Sequence, residues 1–205
     1  RVLRVAGDRP PPPRRPPSLR SASLETLTGG TVQETQNGSI FAIAREFPAE
    51  HSHGRVPLRL ALDSPPDAFR VITGRPDAPA LSGERLLYLD VETTGLAGGT
   101  GTYAFLVGVG FFRQERFAVR QYFMRDLDEE PALLASVAAL LPSFDAVVTY
   151  NGRGFDVPLL ETRFILGRLP WPNLWQLDLL PFARRAFAEE ERAIAEQVME
   201  MLEIF

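Results

Sequence analysis

The stretch LLYLDVETTGL, residues 86–96, begins as a buried strand and ends with two carboxylates. Asp90 and Glu92 are two residues apart, so on a strand they share one face, while Leu87, Leu89 and Val91 occupy the other. Two like charges so close repel each other unless a cation lies between them. Hard oxygen ligands suit Mg²⁺ or Mn²⁺. Two alternatives follow: a metal site, or acids that cap the strand and face water.

Regular patterns continue outward from this strand. The order is strand, strand, strand, helix, strand, helix, helix, in the stretches 85–93, 102–112, 116–126, 131–141, 145–151, 157–169 and 177–187. Three consecutive strands followed by a crossover helix indicate a mixed sheet with helices packed on it. We therefore predict an α/β fold.

A second polar group lies in TYNGRGFDVPLLETRF, residues 149–164. Asp156 follows a glycine-rich turn and precedes an amphipathic helix, so it is a candidate N-cap. Asn151 and Gly152 are typical turn residues. An N-cap can also present its carboxylate at the mouth of a sheet, so the structural and functional interpretations remain compatible.

The chain divides into three regions by composition. Residues 1–30 are rich in proline and arginine and are predicted to be a disordered arm. Residues 31–80 contain a hairpin signal at Asn37-Gly38 and are predicted to form a small β-rich preface. Residues 81–205 are predicted to form the α/β domain.

Composition limits the classes of function. The 205 residues include no cysteine, which excludes disulfides and thiolate metal sites and fits a cytoplasmic location. No apolar run approaches the ~20 residues that span a bilayer, so we predict no membrane association. The formal net charge of −4 argues against a protein that coats nucleic acid non-specifically. Trp171 and Trp175 are predicted to be core residues, with stacking on an unpaired base as the alternative.

DVETTGL (90–96) followed by NGRGFD (151–156) resembles the first two motifs of the DEDD-type, ribonuclease H-like 3′–5′ exonucleases. The closer resemblance is to the YprB-type ribonuclease H-like domain. It rests on GLAGGTGTYAFLVG at 95–108 and HGRVPL at 53–58, and it covers roughly residues 50–187. The fold that this resemblance implies is a ribonuclease H-like mixed sheet flanked by helices.

The resemblance implies metal-dependent hydrolysis of DNA or RNA, from a single-stranded end and in the 3′–5′ direction, with two Mg²⁺ or Mn²⁺ ions. Asp90 would bind both ions, Glu92 the ion on the nucleophile side, and Asp156 the other. The family likeness also gives residues that would contact the terminal nucleotide or shape the second motif: Thr93, Thr94, Leu96, Asn151 and Phe155.

The match has one gap. Exonucleases of this class use a fourth carboxylate on a late helix, yet no aspartate follows Asp178, which is itself a candidate helix N-cap. Residues 188–205 carry only glutamates and lack the HN-x-x-D pattern, so the domain is expected to be truncated or impaired. The alternatives to a nuclease are a catalytically impaired module that binds nucleic acid or a protein partner, and a structural module with capping acids.

Overall fold

The computed structural model describes residues 22–95 and 101–186. The strands are β1 (Thr31–Thr35), β2 (Gly38–Pro48), β3 (Ser52–His53), β4 (Val56–Pro57), β5 (Leu86–Thr93), β6 (Ala104–Arg113), β7 (Arg116–Phe123), β8 (Ala146–Thr149) and β9 (Trp175–Asp178). The α-helices are α1 (Leu24–Thr28), α2 (Arg59–Leu62), α3 (Ala68–Thr73), α4 (Glu130–Leu140), α5 (Asp156–Leu166) and α6 (Leu179–Ala186). None of the helices in this described part is long and apolar enough to cross a membrane.

Seven strands form one mixed sheet in the order β1-β2-β7-β6-β5-β8-β9. β5 pairs antiparallel with β6 on one side and parallel with β8 on the other, and β8 pairs parallel with β9. The carboxyl ends of these three parallel strands therefore meet at one edge of the sheet, where open α/β sheets bind their ligands. The prediction of an α/β fold with a mixed sheet and flanking helices is confirmed.

The predicted hairpin around Asn37-Gly38 is present, with Thr35 opposite Gly38. β2 then pairs with β7 from Phe41↔Phe123 to Pro48↔Arg116, so the hairpin is part of the main sheet. The sequence did not indicate this pairing. The division at residue 80 into preface and domain stays a prediction, and so does the arm, whose described end forms α1.

Both faces of the sheet are buried against helices. On one face Leu87 and Leu89 pack with α4 and α5 in the first core. On the other, Tyr88 packs with Leu58, with α3 and with the start of α6 in the second core. The strict alternation of β5 explains this division, because successive side chains of a strand point to opposite faces.

Candidate active site

Asp90 and Glu92 lie on the same face of β5 as the buried Tyr88, beyond the end of the second core. Asp90 is half-buried and Glu92 is exposed. Asp90 is paired with Gly108 of β6, which has no side chain to fill the space beside the carboxylate. The register of β5 and β6 shifts between Glu92 and Thr93, and such bulges redirect side chains at the ends of strands.

Asp156 reaches the same edge of the sheet from the neighbouring strand. β8 runs parallel to β5 with Val148 beside Tyr88, so the chain leaves β8 next to Asp90. A single 3₁₀ turn (Gly152–Gly154) then leads into α5, of which Asp156 is the first residue. The residue at the N-cap position is Phe155, and no side chain caps this helix. The interpretation of Asp156 as the N-cap is therefore wrong, and its carboxylate is not occupied by the helix amides.

The three acids share one electrostatic environment. Burial raises the pKa of Asp156 most strongly, and together with the charges of Asp90, Asp178 and Glu92, in that order of importance, it raises the pKa from 3.8 to about 6. Burial and then the charge of Glu92 also raise the pKa of Asp90. These mutual effects agree with the common position of the carboxylates at the edge of the sheet where β5 and β8 end. A bound cation would relieve the repulsion.

Asp178 ends β9 directly beside Thr149 of β8. Its Oδ1 accepts hydrogen bonds from the backbone N–H groups of Asn151 at 2.8 Å and Leu180 at 3.0 Å, and its Oδ2 accepts one from Arg153 N–H at 3.2 Å. The expected capping role at the start of α6 is thus confirmed. The carboxylate also fastens the turn that leads to Asp156, which the sequence did not indicate.

The turn itself is set by backbone requirements. Asn151 adopts a left-handed conformation with φ of 64°, which asparagine tolerates better than most residues. Gly152 follows because an added Cβ would lie 2.6 Å from the Cβ of the buried Thr149. Phe155 is half-buried against the first core. Contacts of Asn151 and Phe155 with a substrate remain predictions.

The threonines after the first motif close the base of a loop. The Thr93 hydroxyl donates to the Gly95 carbonyl at 3.0 Å. Thr94 exchanges two hydrogen bonds with Tyr103: its N–H donates to the Tyr103 carbonyl at 3.0 Å, and its hydroxyl accepts from Tyr103 N–H at 3.1 Å. These bonds fix residues 93–95 and Tyr103 to one another beside Glu92. Leu96 lies outside the described residues, and nucleotide contacts by all three residues remain predictions.

The sequence did not indicate a buried ion pair that joins α5 to α4. The Arg163 guanidinium, on α5, donates to both carboxylate oxygens of Glu130 on α4 at 2.5 Å. It also lies 4.1 Å from the ring centroid of Tyr103. Arg163 is only 4% exposed. Arg163 therefore links α5, which begins with Asp156, to Tyr103, which is hydrogen-bonded to Thr94 near Glu92. An arginine in an amphipathic helix pattern gives no sign of such burial.

The donor set fits a divalent cation by its chemistry. Within residues 22–95 and 101–186, no three histidine, aspartate or glutamate side chains stand close enough to hold a metal ion in their present positions. Asp90, Glu92 and Asp156 nevertheless offer only carboxylate oxygens, the ligands that Mg²⁺ and Mn²⁺ prefer. Their mutual repulsion is the feature that a cation would remove.

Comparison with known proteins adds two findings. The RNase H superfamily matches residues 87–201 of this chain. YprB from Bacillus subtilis (strain 168) is 34% identical over 151 residues, which is 68% of this chain and 35% of that protein. The chain therefore spans about a third of the length of this relative. The resemblance to a YprB-type ribonuclease H-like domain is confirmed.

Proposed function

Because the chain belongs to the RNase H superfamily, we propose that it is a metal-dependent nuclease that hydrolyses phosphodiester bonds in DNA or RNA. The observation that carries this proposal is the position of Asp90, Glu92 and Asp156 at the same edge of the sheet, where β5 and β8 end. Asp90 and Glu92 come from one strand and Asp156 from the helix after its parallel neighbour. Two chain segments thus contribute acids to one place, which capping of separate elements would not require.

Each acid has a distinct part in the proposed site. By the family likeness, Asp90 on β5 would hold both Mg²⁺ or Mn²⁺ ions, Glu92 the ion on the nucleophile side and Asp156 the other. Bound ions would supply an activated water and stabilisation of the leaving oxygen. Asp156 must lose its proton to become a ligand, so cation binding is expected to lower its pKa below the value of about 6.

The likeness to DEDD-type exonucleases supports cleavage in the 3′–5′ direction as part of this proposal. The loop base formed by Thr94 and Tyr103 stands beside Glu92 and would border the terminal nucleotide.

The test is cleavage of single-stranded DNA and RNA, labelled at either end, with Mn²⁺ by the intact chain and by Asp90→Asn. We expect progressive shortening from the 3′ end, and a rate at least about 100-fold lower in the variant. Asp128→Asn is the matched control, because Asp128 is an exposed acid on the turn before α4 and outside the site. Equal rates for Asp90→Asn and the intact chain would reject the proposal.

The alternative function is a catalytically impaired module that binds nucleic acid or a protein partner. The observation in its favour is Asp178, the remaining acid near the site, whose carboxylate already accepts three backbone hydrogen bonds. If Asp178 served as a fourth metal ligand, these hydrogen bonds would have to break. Nucleic acid that is bound but stays intact with Mn²⁺ would establish this alternative.

A further inference from the structure

A cavity of about 490 Å³ runs along the free edge of β9, on the side of the sheet where α3 and α6 pack. Trp175 lines one end and Asp178 the other, roughly 10 Å apart for residues three positions apart on a strand. The Asp178 end adjoins the carboxylate site, because Arg153 of its wall lies on the turn that leads to Asp156. The three acids do not line the cavity themselves, but one end of it lies beside the turn that carries the chain to Asp156.

An arginine stands at each end of this cavity. Arg153 is exposed and makes no ion pair within the described part of the chain, while its backbone N–H is held by Asp178. Arg75 lies with its guanidinium 4.7 Å from the ring centroid of Trp175 and donates to both oxygens of Asp77. Trp175 and Asp77 thus hold the Arg75 side chain in place, whereas the Arg153 side chain remains available to a ligand.

The walls between the arginines are polar. Asn173 and Gln176 offer amide groups that donate and accept hydrogen bonds. Another cavity, of about 440 Å³ between α2, α3 and the sheet, is lined instead by apolar side chains such as Leu60, Phe69 and Tyr88. Two cavities of similar size therefore suit different ligands, and only the first offers cations.

An anionic polymer approaching the carboxylate site must overcome like charges. The chain carries a formal net charge of −4, and the site itself holds three acids. Guanidinium groups bind phosphate oxygens in a bidentate manner and are the usual means of holding a phosphodiester backbone. Arg75 and Arg153, one near each end of the cavity, fit two separate phosphates of an extended strand better than a compact ligand.

We propose that the cavity between Arg75 and Arg153 binds the backbone of a single-stranded nucleic acid next to the bond to be cleaved. The inference rests on the proposed function, because it assigns the route of the substrate to that same site. Arg153 contacts the phosphate nearest the carboxylates and Arg75 a phosphate farther along the strand. A volume on the scale of small-ligand pockets admits unpaired nucleotides and excludes a duplex.

The test measures binding without turnover, by fluorescence anisotropy of labelled single-stranded DNA and RNA in EDTA. Arg153→Gln and Arg75→Gln are expected to weaken binding about 5- to 10-fold each and to lower the salt-dependence slope by about one. Arg113→Gln is the matched control: Arg113 is also exposed, but it lies five residues beyond Gly108 on β6, roughly 17 Å along the strand, and faces the other side of the sheet. The affinity of Arg113→Gln for nucleic acid is expected to stay within about 2-fold of that of the intact chain.

The outcomes separate this inference from the proposed function. Unchanged affinity of both cavity variants would overturn it, even if Asp90→Asn abolishes cleavage. Weakened affinity in both variants would support it, even if no cleavage is found. Peptides can also add to a free strand edge such as β9. Saturable binding of an unstructured peptide that Arg153→Gln leaves unchanged, together with no binding of nucleic acid, would overturn the inference in favour of a protein partner.

Discussion

At Asp156 the fold holds a carboxyl group where both burial and neighbouring charges oppose its ionisation. The unfolded chain releases this proton near pH 3.8 and the folded chain near pH 6. Between these values unfolding releases a proton, so rising pH favours the unfolded state. Above pH 6 the penalty is constant, and below pH 4 it is absent. At neutral pH Asp156 therefore lowers the stability of the cation-free protein. Its presence is better explained by cation binding than by stability.

Asp156→Asn is therefore expected to stabilise the cation-free protein. At pH 7.5 in EDTA the gain should be about 1 kcal/mol, because the shift of roughly two pKa units is reduced by partial exposure to solvent. The gain should shrink as the pH falls from 6 towards 4. Urea unfolding followed by circular dichroism across this range measures it.

Asp145→Asn is the control of opposite sign. The Arg85 guanidinium donates to both oxygens of Asp145 and lowers the pKa of that carboxyl, so the amide should lower the free energy of unfolding at neutral pH. Added Mn²⁺ should stabilise the intact chain more than Asp156→Asn. A loss of stability in Asp156→Asn at pH 7.5 would contradict the electrostatic account of the site.

Gly152 and Gly154, two positions apart in one turn, allow a second residue-level comparison. A methyl group on Gly152 would lie 2.6 Å from the Thr149 Cβ, whereas one on Gly154 would have no heavy atom within 4 Å. Gly152→Ala should cost about 1–3 kcal/mol of stability and displace Asp156, while Gly154→Ala should stay within about 0.5 kcal/mol. Thermal unfolding and the cleavage assay measure both. Equal effects would show that the turn adapts freely.

At the scale of elements, the strands and helices that carry the site could be predicted because their patterns are local. The alternation in β5 places Asp90 and Glu92 on one face without any knowledge of the partners. The connection between Asp178 and Asn151 could not be predicted, because it depends on the register that sets Thr149 beside Asp178. Pairing between parallel strands joins residues distant in sequence and leaves no periodic signal.

The hairpin between β6 and β7 turns at Gln114 and Glu115, two residue types that rarely adopt the backbone conformation required there. Gln114 and Glu115 both have positive φ, 49° and 58°, a pattern that asparagine and glycine adopt at lower cost. Replacing the pair by Asn-Gly should raise the free energy of unfolding by about 1 kcal/mol without altering the distant site. Urea denaturation measures the gain, and unchanged cleavage is the internal control. A loss would show that the Glu115 side chain, 3.8 Å from Arg59, contributes more than backbone strain.

At the scale of the whole molecule, the two cores join segments that composition had separated. Ile40 and Ala42 of β2 lie in the first core, while Leu58 and Phe69 lie in the second. Sequence alternation revealed that residues 31–48 form a hairpin but could not reveal that β2 pairs with β7, because alternation identifies a buried face and not its partner. The carboxylate site is built on β5, whose two faces both depend on these contributions.

A chain of residues 81–205 alone is therefore expected to be unfolded. It would lose Ile40, Phe41, Leu58 and Phe69, which are at most 4% exposed, and each such side chain contributes about 1.5–3 kcal/mol. The sum is comparable with the entire stability of an ordinary domain, about 5–15 kcal/mol. A chain of residues 30–205 is the control, because it lacks α1, which buries no residue, but keeps Gly30 against Phe41.

Circular dichroism melting and two-dimensional amide NMR spectra of the two chains provide the measurement. The 30–205 chain should melt cooperatively within a few degrees of the intact protein, and the 81–205 chain should show no cooperative transition. If residues 81–205 instead fold and cleave nucleic acid, residues 31–80 are a separable preface, as the sequence alone predicts. If they fail to fold, β2 is an integral strand of the sheet, and the smallest unit that folds must include the β1–β2 hairpin or at least β2.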